Sequence, residues 1–212
     1  MILNSIIGAK GKKSIGNVTV QNWKGLTVAR QKPTDVANPQ TAAQTAQRTK
    51  LSLAVKIFRQ IASAVNVGFS QLAIRMAAYN AFMQYNLKAG VFGTDASTPI
   101  PTANLLKVAR GTLTTRAMDT VSHSNNNTQL NLNWDAGEVG DQLETDELYA
   151  VVLGANGVCK YAGRTGAYRS SDDTSLAPIA GQTFVTGDRC YTFWYQPSTR
   201  KVSDSTYFAV TA

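Results

Sequence analysis

Few residues of this chain are of a type and spacing that could carry out chemistry. The stretch Gly8-Ala9-Lys10-Gly11-Lys12-Lys13-Ser14 has the glycines and lysines of a phosphate-binding loop. Such a loop needs a glycine directly before its Lys-Ser pair and a helix after it. Lys12 stands at the glycine position and strand-forming residues follow, so the stretch does not read as a nucleotide site. His123 is the single histidine, which leaves neither a His-based nucleophilic triad nor a multi-histidine metal site. Asp135, Glu138, Asp141, Glu144, Asp146 and Glu147 form an acidic run that could bind calcium weakly. Its spacing is not that of an EF-hand, and a solvated loop between strands is the plainer reading. Cys159 and Cys190 could meet as neighbours in a sheet; with no secretory leader read at the N-terminus, free buried thiols are expected. No catalytic residue, metal, cofactor or small-molecule substrate is expected, and the chain reads as a non-enzyme.

Two sets of residues suit binding instead. Trp23 with Lys24, Arg30 and Lys32, together with Lys10, Lys12 and Lys13 upstream, could stack on and neutralise single-stranded nucleic acid. The same residues also suit a hairpin that packs its tryptophan on a helix, and that is the plainer reading. The second set is Asn38-Pro39-x-Thr41-x-x-Gln44-x-x-x-Arg48. Asn38 is a favoured helix cap, and Pro39 at the first helical position gives up an N–H that would have no partner. Thr41, Gln44 and Arg48 continue the line of Leu51, Val55, Phe58, Ala62 and Val65 at steps of three and four. That alignment predicts that the three polar side chains face packed protein, of this chain or of a neighbouring subunit.

Charge suits either an anionic or acidic-faced partner or a basic solvated face with no partner. The formal net charge is +8, and residues 1–60 carry ten Lys and Arg against Asp35 alone, a balance of +9. Residues 96–212 carry nine basic and eleven acidic groups, a balance of −2. A basic arm facing nucleic acid, or facing the acidic half of another copy, would use this asymmetry. No apolar window reaches the length of a membrane span, so no membrane role is expected.

These residues must be positioned by a chain of mixed periodicity. Residues 1–14 read as a flexible basic arm. Residues 15–32 alternate as a β-hairpin turning at Lys24-Gly25, and 33–90 as a two-helix region with helices from Pro39 to Val65 and from Phe69 to Lys88. A Pro/Gly-bearing linker over 91–104 follows. Beyond it the period changes from 3.6 to 2, with strands expected at Leu105–Arg110, near Leu113–Met118, around Leu130–Trp134, and at Leu148–Leu153, Val158–Tyr161, Ser175–Ile179, Cys190–Tyr195 and Thr206–Val210. Turns at this spacing and an inward Trp134 point to an antiparallel immunoglobulin or fibronectin-III-like β-sandwich over 105–212, expected to fold alone. The fold class is therefore α+β.

The order Gly16-Asn17, Trp23-Lys24-Gly25, Arg30, Pro33 and Asn38-Pro39-x-Thr41-x-x-Gln44-x-x-x-Arg48 resembles an uncharacterised family of Bacteroidota and their phages. The likeness continues through Tyr79-Asn80-Ala81, Tyr85-Asn86-Leu87-Lys88, Arg110-Gly111-Thr112-Leu113, Asn133-Trp134, Thr145-Asp146 and Val202-Ser203-Asp204-Ser205-Thr206-Tyr207. The chain departs from the family pattern after Gly93, where Thr94 to Pro99 replace an aromatic-rich stretch. The resemblance implies a shared fold and brings no activity or catalytic residue. The leading expectation is a structural or assembly protein, a virion component of a Bacteroidota phage, partnered by itself or by other virion proteins and located in the virion or host cytoplasm. The alternatives are a nucleic-acid-binding protein and a surface binding module.

Overall fold

The computed structural model describes residues 13–24, 26–35, 38–88, 90–93, 101–116, 118–124, 126–137 and 140–212. Two compact units divide between Thr41 and Ala42. In the first, β1 (Lys13–Ile15), β2 (Val18–Trp23) and β3 (Leu26–Gln31) form an antiparallel sheet in that order. Val18 to Trp23 pair with Gln31 to Leu26, the hairpin read from the sequence, with Lys24 at φ 49° in its turn. The added strand β1 uses Lys13 and Ser14, which the sequence reading left in the arm. Val20 is buried, and β3 is exposed along its whole length.

The second unit is built in three layers. Helix α1 (Ala42–Gly68), kinked at Ile61, and helix α2 (Ala78–Lys88) cover one face of a large antiparallel sheet. That sheet runs β10 (Lys201–Val202), β9 (Arg189–Gln196), β6 (Glu147–Leu153) and β7 (Cys159–Tyr168), with β11 (Thr206–Ala209) also on β9. Its other face packs on a small sheet of β4 (Thr120–His123), β5 (Leu130–Asn133) and β8 (Asp173–Leu176). The central strand shows why. Leu148, Ala150 and Val152 point into the core between the sheets, while Val151 and Leu153 point to the helices. A strand covered on both faces reads as a continuous apolar run, not an alternating one.

The helices depart from the sequence reading in register and length. α1 begins at Ala42, so Asn38 and Pro39 lie ahead of it and Thr41 holds the place before the first helical residue. The buried residues are Leu53, Ala54, Ile57, Ile61, Ala64, Val65 and Gly68, one position round from the expected stripe. Small residues at 54, 64 and 68 let the helix lie close on the sheet, while Phe58 turns to α2 and meets Tyr79 edge-on at 4.8 Å. Residues 69–77 form turns, and Arg75 at φ 61° is incompatible with a continuous second helix.

The helices share one core with Val151, Leu153, Tyr191 and Phe193 of the large sheet. They therefore belong with the sheets, and the expected boundary at 91–104 is not one: Val91 and Phe92 are buried in that core, while residues 94–100 lie outside the described residues. Leu105–Arg110 is not a strand, and among the described residues of Leu113–Met118 only Leu113 forms a bridge, to Ser203. Their backbone groups bond to side chains and turns instead of a ladder. Thr120–His123 is a strand that the sequence reading missed.

Candidate functional site

The polar motif straddles the two units: Asn38, Pro39 and Thr41 close the first, and Gln44 and Arg48 belong to α1 of the second. Thr41, Gln44 and Arg48 are exposed within the chain, so the expectation that they face packed protein of their own chain does not hold. No face of α1 is buried before Leu53, so the 41–44–48 line is exposed whichever line faces the sheet further on. Asn38, Thr41, Gln44 and Arg48 each take part in an interaction with another residue. The first three turns of α1, Ala42 to Ser52, contain no buried residue. On its outer side Arg48, Leu51, Ser52, Val55, Lys56 and Arg59 line a shallow groove of about 580 Å³, and Leu51 is 45% exposed.

Of the residues expected to meet nucleic acid or a partner, Arg30 and Lys32 are exposed and Lys24 sits in the turn. Arg30 pairs across the ladder with Thr19, Trp23 with Leu26, and Lys13 with Val20. Arg30 therefore shares one face of its strand with Leu26 and Val28, since alternate residues point the same way. The side chains of Lys13 and Trp23 lie outside the described residues, as do Lys10 and Lys12.

Several stretches that carry the family resemblance meet in space as a clasp between the helices and the sheet. The Asn86 amide donates to Lys107 O at 3.0 Å and accepts from Lys107 N at 2.9 Å. The Arg110 guanidinium lies 4.3 Å from the centre of the Tyr85 ring. Gly111 N donates to Asp204 Oδ1, Val108 N to Ser205 Oγ, and Leu113 N to Val202 O. Gln71 Oε1 accepts from Thr112 N and Val202 N. Sequence reasoning did not reach Gln71, and it named Asn86, Ser203, Asp204 and Ser205 only within the stretches that carry the resemblance, with no role. Their signal was only that short polar residues interrupt apolar runs, which is what a backbone-binding turn requires. The clasp pairs amides and hydroxyls with backbone groups and offers no nucleophile beside a base.

The acidic run is dispersed among separate partners. Asp135 pairs with Arg116 at 2.6 Å, Asp141 with Lys201 at 2.9 Å, and Glu147 with Arg164 at 2.9 Å. The Lys201 ammonium and the Thr114 amide and hydroxyl hold the Asp141 carboxyl well below the usual carboxylate range. Asp146 is buried and accepts from Leu143 N; burial pushes its carboxyl up. Glu138 lies outside the described residues, and among those described no three His, Cys, Asp or Glu gather as a metal site. His123 bonds Ser124 O and Thr186 Oγ1 through its two ring nitrogens.

Cys159 and Cys190 are free and buried. They sit on β7 and β9, separated by β6, and face opposite cores. Burial pushes their thiols up to about 11 and about 12, so neither is a ready nucleophile. No helix of the described residues is long and apolar enough to cross a membrane.

Comparison with curated proteins and with solved structures finds no match. A family model matches residues 9–208, nearly the whole chain. The chain belongs to the family of unknown function DUF6266.

Proposed function

We propose that this protein is a non-enzymatic assembly component that oligomerises through its N-terminal strands and first helix, with a second copy as partner. The observation that carries this reading is the bare start of α1. Eleven residues from Ala42 to Ser52 make three helical turns without burying one side chain. Helices shorter than about 12–15 residues are marginal in water, and most helical stability comes from packing a face. β3 adds an exposed edge strand whose Leu26 and Val28 are 65% and 39% exposed, a surface suited to pairing or burial. Charge favours a copy of the same chain: residues 42–93 contain no Asp or Glu, whereas residues 96–212 carry the acidic excess. The setting of this reading is a phage particle, by analogy of architecture alone; capsid, portal or tail genes beside its own would support it.

Size-exclusion chromatography with light scattering tests the reading on the full chain. Wild type is expected to be oligomeric, and the Arg48→Glu/Leu51→Asp variant monomeric and still folded by near-ultraviolet circular dichroism, with its thermal midpoint lowered by loss of the partner. A wild-type chain that stays monomeric at the highest attainable concentration defeats it. The basic balance favours one second reading, binding of single-stranded nucleic acid. Six phosphate contacts from Lys10, Lys12, Lys13, Lys24, Arg30 and Lys32 give a log–log salt slope of about −4. That slope in a monomeric protein would put nucleic acid first.

A further inference from the structure

The second unit is electrically polar along the strand direction. α1 and β7 run side by side in the same sense: the Gln60 amide bonds Gly157 O at 3.2 Å and Cys159 N at 2.9 Å, and Ser63 Oγ bonds Ala162 O at 3.1 Å. The helix ahead of Gln60 therefore extends past the Asn156-Gly157 turn, away from Tyr168. Ten residues of β7 at about 3.3 Å each put roughly 30 Å between the two ends. Lys56 and Arg59 are exposed at the helical end, and the chain has no acidic residue from 36 to 94.

The Tyr168 end is acidic. Ser170 N bonds Glu144 O, Trp134 N bonds Asp172 O, Asp119 N bonds Asn133 O, and Asn133 pairs with Asp173. These bonds gather Asp119, Glu144, Asp172 and Asp173 at one end, all exposed and none in a salt bridge with a described residue. Their neighbours Asp135, Asp141 and Glu147 are already neutralised by Arg116, Lys201 and Arg164; Arg200 is an exposed cation in the adjoining turn. Glu144, Glu147, Tyr168, Ser170 and Pro197 line a cleft of about 530 Å³ there.

We infer that the acidic Tyr168 end of one copy receives the first helix of the next, so that copies join head to tail. The inference rests on the assembly reading and specifies its receiving surface. Like-with-like pairing of two α1 faces would set Lys56 and Arg59 against their own counterparts, and like charges across an interface disfavour it. A head-to-tail contact uses two different surfaces, so it closes into a ring or continues as a filament rather than stopping at a two-fold dimer.

Charge reversal on the full chain tests this, read by light scattering and sedimentation. One variant carries Glu144→Lys and Asp173→Lys, the other Lys56→Glu and Arg59→Glu. Each alone is expected to weaken self-association by about tenfold or more, close to 1.4 kcal/mol. Their equimolar mixture is expected to assemble again, because each end then meets its opposite. Native near-ultraviolet circular dichroism spectra identify folded variants; the neutral pair Glu144→Gln and Asp173→Asn serves if the lysines unfold the chain, and should weaken association less. Wild-type association by the acid-end variants overturns the head-to-tail contact while leaving the assembly reading standing. So does a mixture that stays dissociated. A monomeric wild type removes the reading beneath it, and loss of oligonucleotide binding in the helix variant of such a monomer would assign α1 to nucleic acid.

Discussion

Arg169 ties loop backbone to the sheets. It is fully buried, with Nε donating to Leu143 O at 2.9 Å and Nη1 to Ala136 O and Gly137 O at 2.6 and 2.7 Å. Its own carbonyl accepts the Trp134 indole N–H at 2.8 Å. One cation thereby holds the loop between β5 and β6 against the corner after β7, the same loop that supplies much of the acidic end. Arg169→Met would leave Ala136 O without its donor, whereas Leu143 O keeps Asp146 N and Gly137 O keeps Arg116 Nη1; one carbonyl left unpaired costs about 1–3 kcal/mol when buried. A loss of about 1–3 kcal/mol in urea unfolding is expected. Arg164→Met removes a partly exposed pair with Glu147 and should cost about 1 kcal/mol or less. Equal small shifts for both would mean that the Arg169 bonds are readily replaced by water.

At the scale of elements, the close approach of α1 to the segment after α2 depends on Gly68. A Cβ there would stand 2.5 Å from Val108 O and 2.7 Å from Ala109 Cβ. Gly68 O also accepts from Arg110 N at 2.9 Å, which fixes the helix end to that segment. Gly68→Ala must push the two apart, and overpacking of this kind costs about 1–3 kcal/mol. Loss of stability is expected in spite of alanine's better helix propensity; a midpoint at or above wild type would show that the segment yields. Ser63→Ala, which removes only the bond to Ala162 O, should cost about 1 kcal/mol.

At the scale of the molecule, the helices act as the third layer of a sandwich. Val151, Leu153, Tyr191, Phe193 and Val202 all lie in the core that α1 and α2 close. A fragment of residues 105–212 would expose that face, and patches of this size on a monomer lead to association. Residues 42–212 are expected to melt cooperatively with native near-ultraviolet circular dichroism, and 105–212 to aggregate or lose that signal. A cooperative melt from 105–212 alone would show that the sandwich is self-sufficient, as its sequence suggests.

The sequence by itself determined what local rules control. The hairpin from Val18 to Gln31, the helical segments, the strands at Leu130, Leu148, Cys190 and Thr206, and the α+β class follow from period and turn residues. So does the charge asymmetry. The Asn133-Trp134 step was legible as inward: Trp134 is buried and meets Trp194 edge-on at 5.4 Å. Only tertiary structure decided which of two neighbouring apolar lines on α1 faces the sheet. Both lines have helical spacing, and the choice depends on small residues that meet a surface built a hundred residues later. It also decided that Arg48 lies outward, that Leu105–Arg110 bonds to Asn86, Ser205 and Gly68 instead of a strand, and that Cys159 and Cys190 face different cores. Each of these outcomes is a contact between distant residues, and periodicity describes only a residue's own element.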